Sequence, residues 1–411
     1  MPKPPREVVV RGSAADAARR GHPWVFRHAV LPQGAGAPRR GGPPDATLAG
    51  VAAGDEVQVV GEDGAPVGRA VADPDSPIAL RMWTSGRAPV DESLVAERIA
   101  SALAVRERLF ASGATTAYRL LNGEGDRCPG FVVDRYDTVA VLRVDGGAAL
   151  ARLDRFVDVL WPRLAARAVR SLVHRPTGEK PGSAVKTPPA LLRGDAPPAT
   201  IEVREHGVPF VVDLAQGQKT GAFLDQRENR RRVGELAQGR RVLNLFSYAG
   251  GFSVRAALGG AVRVTSVDIA AKAHATAQSS FRLAGADPRA HHFVTADAFA
   301  FLAEAKKKNE RFDLVVSDPP SFAPSEKAVP RALAAYRTLH RACAEVLAPG
   351  GILCAASCSS HVDAEAFVAT LDDGALGVRT LRLLEVHGAP ADHPSLPAWP
   401  EGRYLKFCVL S

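Results

Sequence analysis

The chain has 411 residues, 46% of them hydrophobic, enough for two or three globular domains with ordinary cores. No apolar stretch is long enough to span a bilayer, and MPKPPREVVV has no apolar leader before it turns strand-like, so a membrane role is excluded and the cytoplasm is expected. Five cysteines without regular spacing argue against a disulfide framework and a metal site, while a net charge of +8 leans towards a polyanionic partner.

From Glu7 to about Thr84 short strands alternate with turns, as where Val57 and Val59 alternate with polar residues ahead of the Glu62-Asp63-Gly64 turn. Residues 1–88 therefore read as a small β-rich domain, within which the glycine- and proline-rich Gly34 to Asp45 reads as a mobile surface loop. Asp91 to Phe110 follows as a helix with acidic residues in its first turn. It opens a central α+β domain over residues 89–215. There GFVVDRYDTVAVLRVD predicts two strands, and Leu150, Leu153, Val157, Leu160 and Leu164 mark a helix bent by Pro162. SLVHR and TIEVREHGVPFVVDL complete a two-strand, helix, two-strand order, with Pro176 to Pro198 as an irregular excursion between them.

Residues 216–411 change character. RVLNLFS, VRVTSVDIA, HHFVTADAF, FDLVVSD and GILCAASC alternate with spans of helical length, which predicts an α/β, Rossmann-like parallel sheet with helices on both faces. RYLKFCVL adds a late strand at or near the sheet edge.

The chemistry-bearing residues fall at the strand ends. Asp318-Pro319-Pro320 must stop the FDLVVS strand, because proline has no N–H for the ladder. The next strand delivers Cys358 to its own carboxyl end. Ligands bind at that edge of open parallel sheets, so an acid and a thiol there point to nucleophilic chemistry. After the first strand, Phe246-Ser247-Tyr248-Ala249-Gly250-Gly251 opens a helix with backbone that a ligand can approach closely. Asp268, Asp297 and Asp318 end the second, third and fourth strands. Asp268 is placed to accept both hydroxyls of a ribose and Asp297 an exocyclic adenine amine. A single Asp at such a turn serves equally well as a helix N-cap, but three in register behind a glycine turn point to a nucleoside cofactor. The missing GxGxxG disfavours a nicotinamide.

With these residues the sequence resembles a known family, the bacterial large-subunit ribosomal RNA methyltransferases of class I that use S-adenosyl-L-methionine to methylate carbon 5 of cytosine. The resemblance covers nearly the whole chain. It rests on Gly217 to Arg230 (GQKTGAFLDQRENR), Asn244 to Ser253, Asp318 to Phe322, Ser357-Cys358-Ser359, His393-Pro394, and Pro400 to Lys406 (PEGRYLK). Gly21 to Phe26 (GHPWVF) looks like the opening of that family's RNA-binding PUA domain. The resemblance implies ribosomal RNA, or its precursor, as substrate, and leaves room for a homodimer.

The resemblance further implies a cofactor site of Phe246, Ser247, Tyr248, Gly250, Asp268, Asp297, Asp318, Asp225 and Arg227, with Pro319, Pro320, Phe322 and Lys219 on the substrate side. Cytosine carbon 5 is a poor nucleophile. Attack by the Cys358 thiolate at carbon 6 would turn the base into an enamine, with Asp318 stabilising the protonated ring at N3. The carbon 5 proton must then leave to a base that the sequence does not identify. The target must also be unpaired or flipped out, and Phe322 or Tyr248 would stack on it or on the cofactor. Two departures stand out: Ser321 occupies the position where many such enzymes carry a second cysteine, and Ala222 replaces an expected aromatic. Asp-Pro-Pro before an aromatic also suits enzymes that methylate exocyclic amines without a thiol. A non-catalytic RNA-binding factor is the third reading.

Cys343 and Cys354 read as ordinary core residues, while Cys408 falls in the last strand and Cys128 in a loop before Pro129-Gly130. His22, Trp24 and the Arg227, Arg230, Arg231, Arg232 cluster are candidates to touch RNA or to serve core packing and a solvated helix face.

Overall fold

The runs RVLNL, RVTSVD and FDLVVS carry apolar residues on both faces, the pattern of a strand covered by helices on each side. In the structure, a computed structural model that describes residues 5–32, 48–176, 188–217 and 219–411, they become adjacent parallel strands. The Gly34 to Asp45 loop lies outside the described residues, as do residues 177–187 of the proline-rich tract and Gln218. The chain divides into two compact units: Met1–Ala111, Tyr118–Pro198 and Asp392–Gly402 form one, and Ser112–Ala117, Ala199–Ala391 and Arg403–Ser411 the other.

The first unit holds two five-stranded sheets. Arg6–Val10, Glu56–Gly61, Pro66–Ala72, Ile78–Met82 and Trp24–Phe26 form the N-terminal one, in that spatial order. Ala190–Gly194, Ser171–His174, Val139–Val144, Phe131–Tyr136 and Ala117–Asn122 form the other. The Glu92–Leu109 helix begins where its sequence predicts, capped by the Asp91 carboxylate, which accepts from the Leu94 N–H at 2.9 Å. Pro162 falls in the last turn of the Leu153–Ala165 helix, and a separate short helix, Gly147–Ala151, carries Leu150.

The proline-rich tract is not irregular throughout, because Ala190–Gly194 pairs antiparallel with Ser171–His174. The hairpin of Thr200–Glu205 and Val208–Asp213 does not complete the central sheet. It is a separate two-stranded sheet of the second unit, where Val203, Phe210 and Val212 are buried and the Val211 N–H donates to Ser280 Oγ at 3.1 Å.

Buried charge organises the first unit. Arg81, 2% exposed, donates to Glu124 and to Asp145 at 2.7 Å. Arg106, 1% exposed, grips both carboxylate oxygens of Asp126 at 2.7 Å each and donates to the Asp392 carbonyl at 2.7 Å. His22 and Trp24 are likewise committed internally: His22 Nε2 lies 3.3 Å from Glu401, and the Trp24 indole donates to Glu124 at 2.9 Å and packs edge-on against Trp399. Removing one partner of a buried ion pair strands the other's charge. Arg106→Met is therefore expected to destabilise the protein by about 3–5 kcal/mol, read as a fall of roughly 10 °C in the thermal midpoint.

The second unit is built on a seven-stranded sheet: His292–Thr295, Arg263–Asp268, Arg241–Leu245, Phe312–Ser317, Leu347–Ser357, Lys406–Leu410 and Leu383–His387, or 3-2-1-4-5-7-6 in chain order. The first five are parallel, and Lys406–Leu410 runs antiparallel between its neighbours. The late strand thus lies one place in from the edge. The edge strand itself escapes sequence reading, since Leu383, Leu384 and Val386 are 43, 55 and 50% exposed and show no alternation of buried and exposed positions. Leu243, Leu245 and Val315 face one core cluster, while Val242, Leu314 and Val316 face another on the opposite side. Among the described residues no helix is long and apolar enough to cross a membrane.

Candidate active site

Because five strands are parallel, their carboxyl ends share one edge, and the predicted site residues of this unit gather there. After Leu245 the chain turns through left-handed backbone at Phe246 (φ 55°), Tyr248 (φ 45°) and Gly250 (φ 76°). Such conformations cost of order 1–3 kcal/mol at a non-glycine residue and persist only where surroundings enforce them. Here Asp268 does so: one carboxylate oxygen accepts from the Tyr248 N–H at 2.7 Å, the other from the Ala270 N–H at 2.8 Å. At Gly250 a Cβ would lie 2.7 Å from that of Ala277, so glycine is required for the helix Gly251–Leu258 to approach its neighbour. Ser247 is buried, and its hydroxyl has no hydrogen-bond partner among the described residues.

Asp297 stands two residues past its strand, is exposed, and caps the Ala298–Lys307 helix through one oxygen, which accepts from Phe299 and Ala300 at 3.0 Å each. Ile269, 76% exposed directly after Asp268, is an apolar side chain that sequence reading passed over. The available signal is an apolar residue placed directly after a strand-end aspartate, where the chain leaves the sheet.

Residues Lys219 to Arg230 fold back onto the fourth strand end. Lys219 (φ 51°) donates to Asp225 at 2.9 Å and sits over the Phe223 ring at 4.3 Å from its centre. Tyr404 donates to the same Asp225 oxygen at 2.7 Å. Gln226 donates to Asp318 Oδ1 at 2.9 Å, and Asn229 fixes the Gln226 amide by donating to its oxygen at 2.6 Å. Both amides lie within the Gly217 to Arg230 motif, but the sequence assigns neither a role, because nothing in DQREN marks an amide as more than part of a polar helix start.

Asp318 retains some surface accessibility but is crowded by protein atoms. Burial, reinforced by the neighbouring Asp225 carboxylate, pushes it up to about 7 against the opposing pull of Lys219, Arg230 and the Gln226 bond. Pro319 is buried and Pro320 exposed, and Phe322 packs on Tyr336 at 4.9 Å between ring centres.

Cys358 is half-buried, whereas the other four cysteines are buried, Cys343 and Cys354 as their sequence positions predict and Cys128 and Cys408 with them. Burial raises its thiol; Lys219 and Lys406 pull it down, and Asp318 and Asp225 push it up. Beside it lies a hydroxyl network. Tyr336 donates to Ser357 at 2.9 Å and lies 3.0 Å from Ser359, which in turn lies 3.1 Å from Ser321. The residue standing where a second cysteine was expected is thereby part of a hydrogen-bonded chain.

The arginines divide. Arg227 and Arg230 are buried, the latter bonded to Glu205 at 2.9 Å and to the Phe223 carbonyl at 2.9 Å, so Arg230 is structural and not a free RNA contact. Arg227 lies beside Glu228 at 3.1 Å. Arg231 and Arg232 pair with Glu235, and Arg232 also with Glu385.

A model of S-adenosylmethionine-dependent methyltransferases matches residues 148–401, and one of PUA-like domains matches residues 8–85. The chain belongs to the S-adenosylmethionine-dependent methyltransferase family, with a PUA-like N-terminal domain and S-adenosylmethionine as its cofactor. Its relatives there include the ribosomal RNA large subunit methyltransferase of Deinococcus radiodurans, 39% identical over 95% of this chain and 94% of that one. The ribosomal RNA large subunit methyltransferase I of Alteromonas mediterranea is 34% identical over 98% of both. The fold is shared with a candidate methyltransferase crystallised with S-adenosylhomocysteine, at a TM-score of 0.84 and 24% identity over 98% and 99% of the two chains.

The residues fit that cofactor. A strained turn, an exposed Ile269, an unpartnered buried hydroxyl at Ser247 and a carboxylate at the second strand end form a donor and acceptor set suited to a nucleoside.

Proposed function

We propose that the chain methylates carbon 5 of a cytosine in large-subunit ribosomal RNA or its precursor, with Cys358 as nucleophile and Asp318 as acid. One observation carries this reading: the half-buried thiol, unlike the other four, shares its surroundings with a carboxyl that keeps its proton to about pH 7. Asp268, Ser247, Tyr248 and Gly250 hold the cofactor on one side of the site, and S-adenosylmethionine supplies an electrophilic methyl group when bound.

The Cys358 sulfur adds to carbon 6, carbon 5 takes the methyl group, and loss of the carbon 5 proton returns the electron pair that expels the thiolate. Because Gln226 donates to Oδ1 of Asp318, the acid proton sits on Oδ2, from which it is shared with N3 of the ring. An exocyclic-amine enzyme needs this residue as an acceptor, and a carboxyl held neutral to about pH 7 suits a donor better. The relatives' names support large-subunit ribosomal RNA as the substrate.

The deciding experiment transfers labelled methyl groups from S-adenosylmethionine to undermethylated ribosomal RNA and digests the product to nucleosides. Label in 5-methylcytidine is expected. Label in methylated adenosine or guanosine overturns the cytosine reading, and no transfer at all leaves the RNA-binding factor in its place.

A further inference from the structure

Lys406 lies directly across the sheet from Ser357, the residue before Cys358. It is 2% exposed, and its ammonium donates to three backbone carbonyls: Ser359 at 2.7 Å, Val362 at 2.7 Å and Tyr404 at 2.8 Å. All three N–H donors are thereby used, so the charge cannot swing away. None of the three acceptors is a carboxylate. A buried, un-neutralised ammonium is expensive, and a methionine would fill the same space without that penalty. Two of its three bonds grip the loop that leaves Cys358.

We propose that Lys406 is a positioning residue for Cys358, clamping the loop after the thiol and supplying the fixed positive charge against which that thiol ionises. The inference rests on the reading of Cys358 as nucleophile. A half-buried thiol is a poor source of thiolate unless cations oppose its burial. Lys219 is one such cation, but it is bonded to Asp225, whereas Lys406 has no acid bonded to it. Burial pulls the Lys406 ammonium down to about 8, against Cys358, Asp363 and Cys408, so it remains mostly charged at neutral pH. The charged and titratable groups around the thiol are Lys219, Asp318, Asp225 and Lys406, with the Tyr336 phenol also coupled to it.

The test is the rate of Cys358 alkylation by iodoacetamide at pH 7 in the full chain, where the ammonium is mostly charged and the thiolate a minor form, selective because the other four cysteines are buried. In Lys406→Met the rate is expected to fall about tenfold, the equivalent of one pH unit in thiol affinity. Lys406→Arg, which keeps the charge, is expected to hold the wild-type rate. Lys406→Gln keeps donors for the carbonyls without the charge and carries the same test if the methionine variant does not fold. Equal rates for wild type and an uncharged, folded variant overturn the proposal.

The readout does not involve methyl transfer. Transfer that survives Cys358→Ala while the labelling rate still falls in the uncharged Lys406 variants would therefore sink the cytosine reading alone.

Discussion

Cys358→Ala is expected to lower the rate of methyl transfer by about 10⁴-fold or more while leaving S-adenosylmethionine affinity within roughly threefold of wild type. The size follows from what the thiol does. Without addition at carbon 6 there is no enamine, and the remaining groups only hold two unreactive partners together, a loss of about 5 kcal/mol in transition-state stabilisation. The affinity is spared because Tyr248 and Gly250 belong to the turn after the first strand and Asp268 to the end of the second, not to the Cys358 loop. RNA carrying 5-fluorocytidine sharpens the test, since fluorine cannot leave carbon 5 as a proton does and the adduct persists as a denaturant-stable complex with wild type only. Undiminished transfer by the alanine variant would eliminate thiol catalysis and favour the exocyclic-amine chemistry.

The second large effect is expected at Asp318, and it separates activity from stability. Asp318→Asn removes the acid and is expected to lower the rate by about 10²- to 10⁴-fold. The wild-type profile depends on a pair of groups. The productive form carries one proton on Asp318 and none on Cys358, although the thiol holds its proton more tightly than the carboxyl. That form is a minor arrangement of the one-proton state, which dominates between about pH 7 and the raised value of the thiol. Activity therefore rises through about pH 7 and falls where the thiol titrates. In the asparagine variant the limb near pH 7 is lost. The single remaining limb follows the thiol, shifted down because a neighbouring negative charge has gone.

Stability moves the other way. The folded protein holds the Asp318 proton more tightly than the unfolded chain, so the wild type loses stability as pH rises from 3.8 to about 7 and carries the full penalty above that. Asparagine never ionises beside Asp225. The variant is expected to be more stable than wild type by about 1–3 kcal/mol at pH 8, with the two converging below about pH 4. Thermal denaturation at the two pH values checks this, and a variant less stable than wild type at pH 8 would mean that Asp318 is not held up by its surroundings.

Much of this molecule is legible in one dimension because its signals are local. The double proline at Pro319 and Pro320 stops a strand wherever it occurs, and so places Asp318 at a strand end. Apolar runs with both faces covered announce a parallel sheet, and parallel strands bring Asp268, Asp318 and Cys358 to one edge whatever the loops do. The turn at Phe246 to Gly250 is equally local.

What the tertiary structure decided depends on partners distant in sequence. LLEVH has no inward and outward alternation, so its place as the edge strand follows only from pairing with Lys406–Leu410. TIEVREHGVPFVVDL reads as a hairpin, but its allegiance to the second unit is set by Glu205 meeting Arg230 and Val211 meeting Ser280. The same holds for Arg106, an unremarkable helical arginine until Asp126 and Asp392 close on it. Asp318 and Cys358 announce their chemistry through residue type and position, but their proton affinities do not. Those are set first by burial and then by neighbouring charges, Asp225 and Lys219 for both and Lys406 for the thiol, whose effect exists only once folding has excluded water from between them.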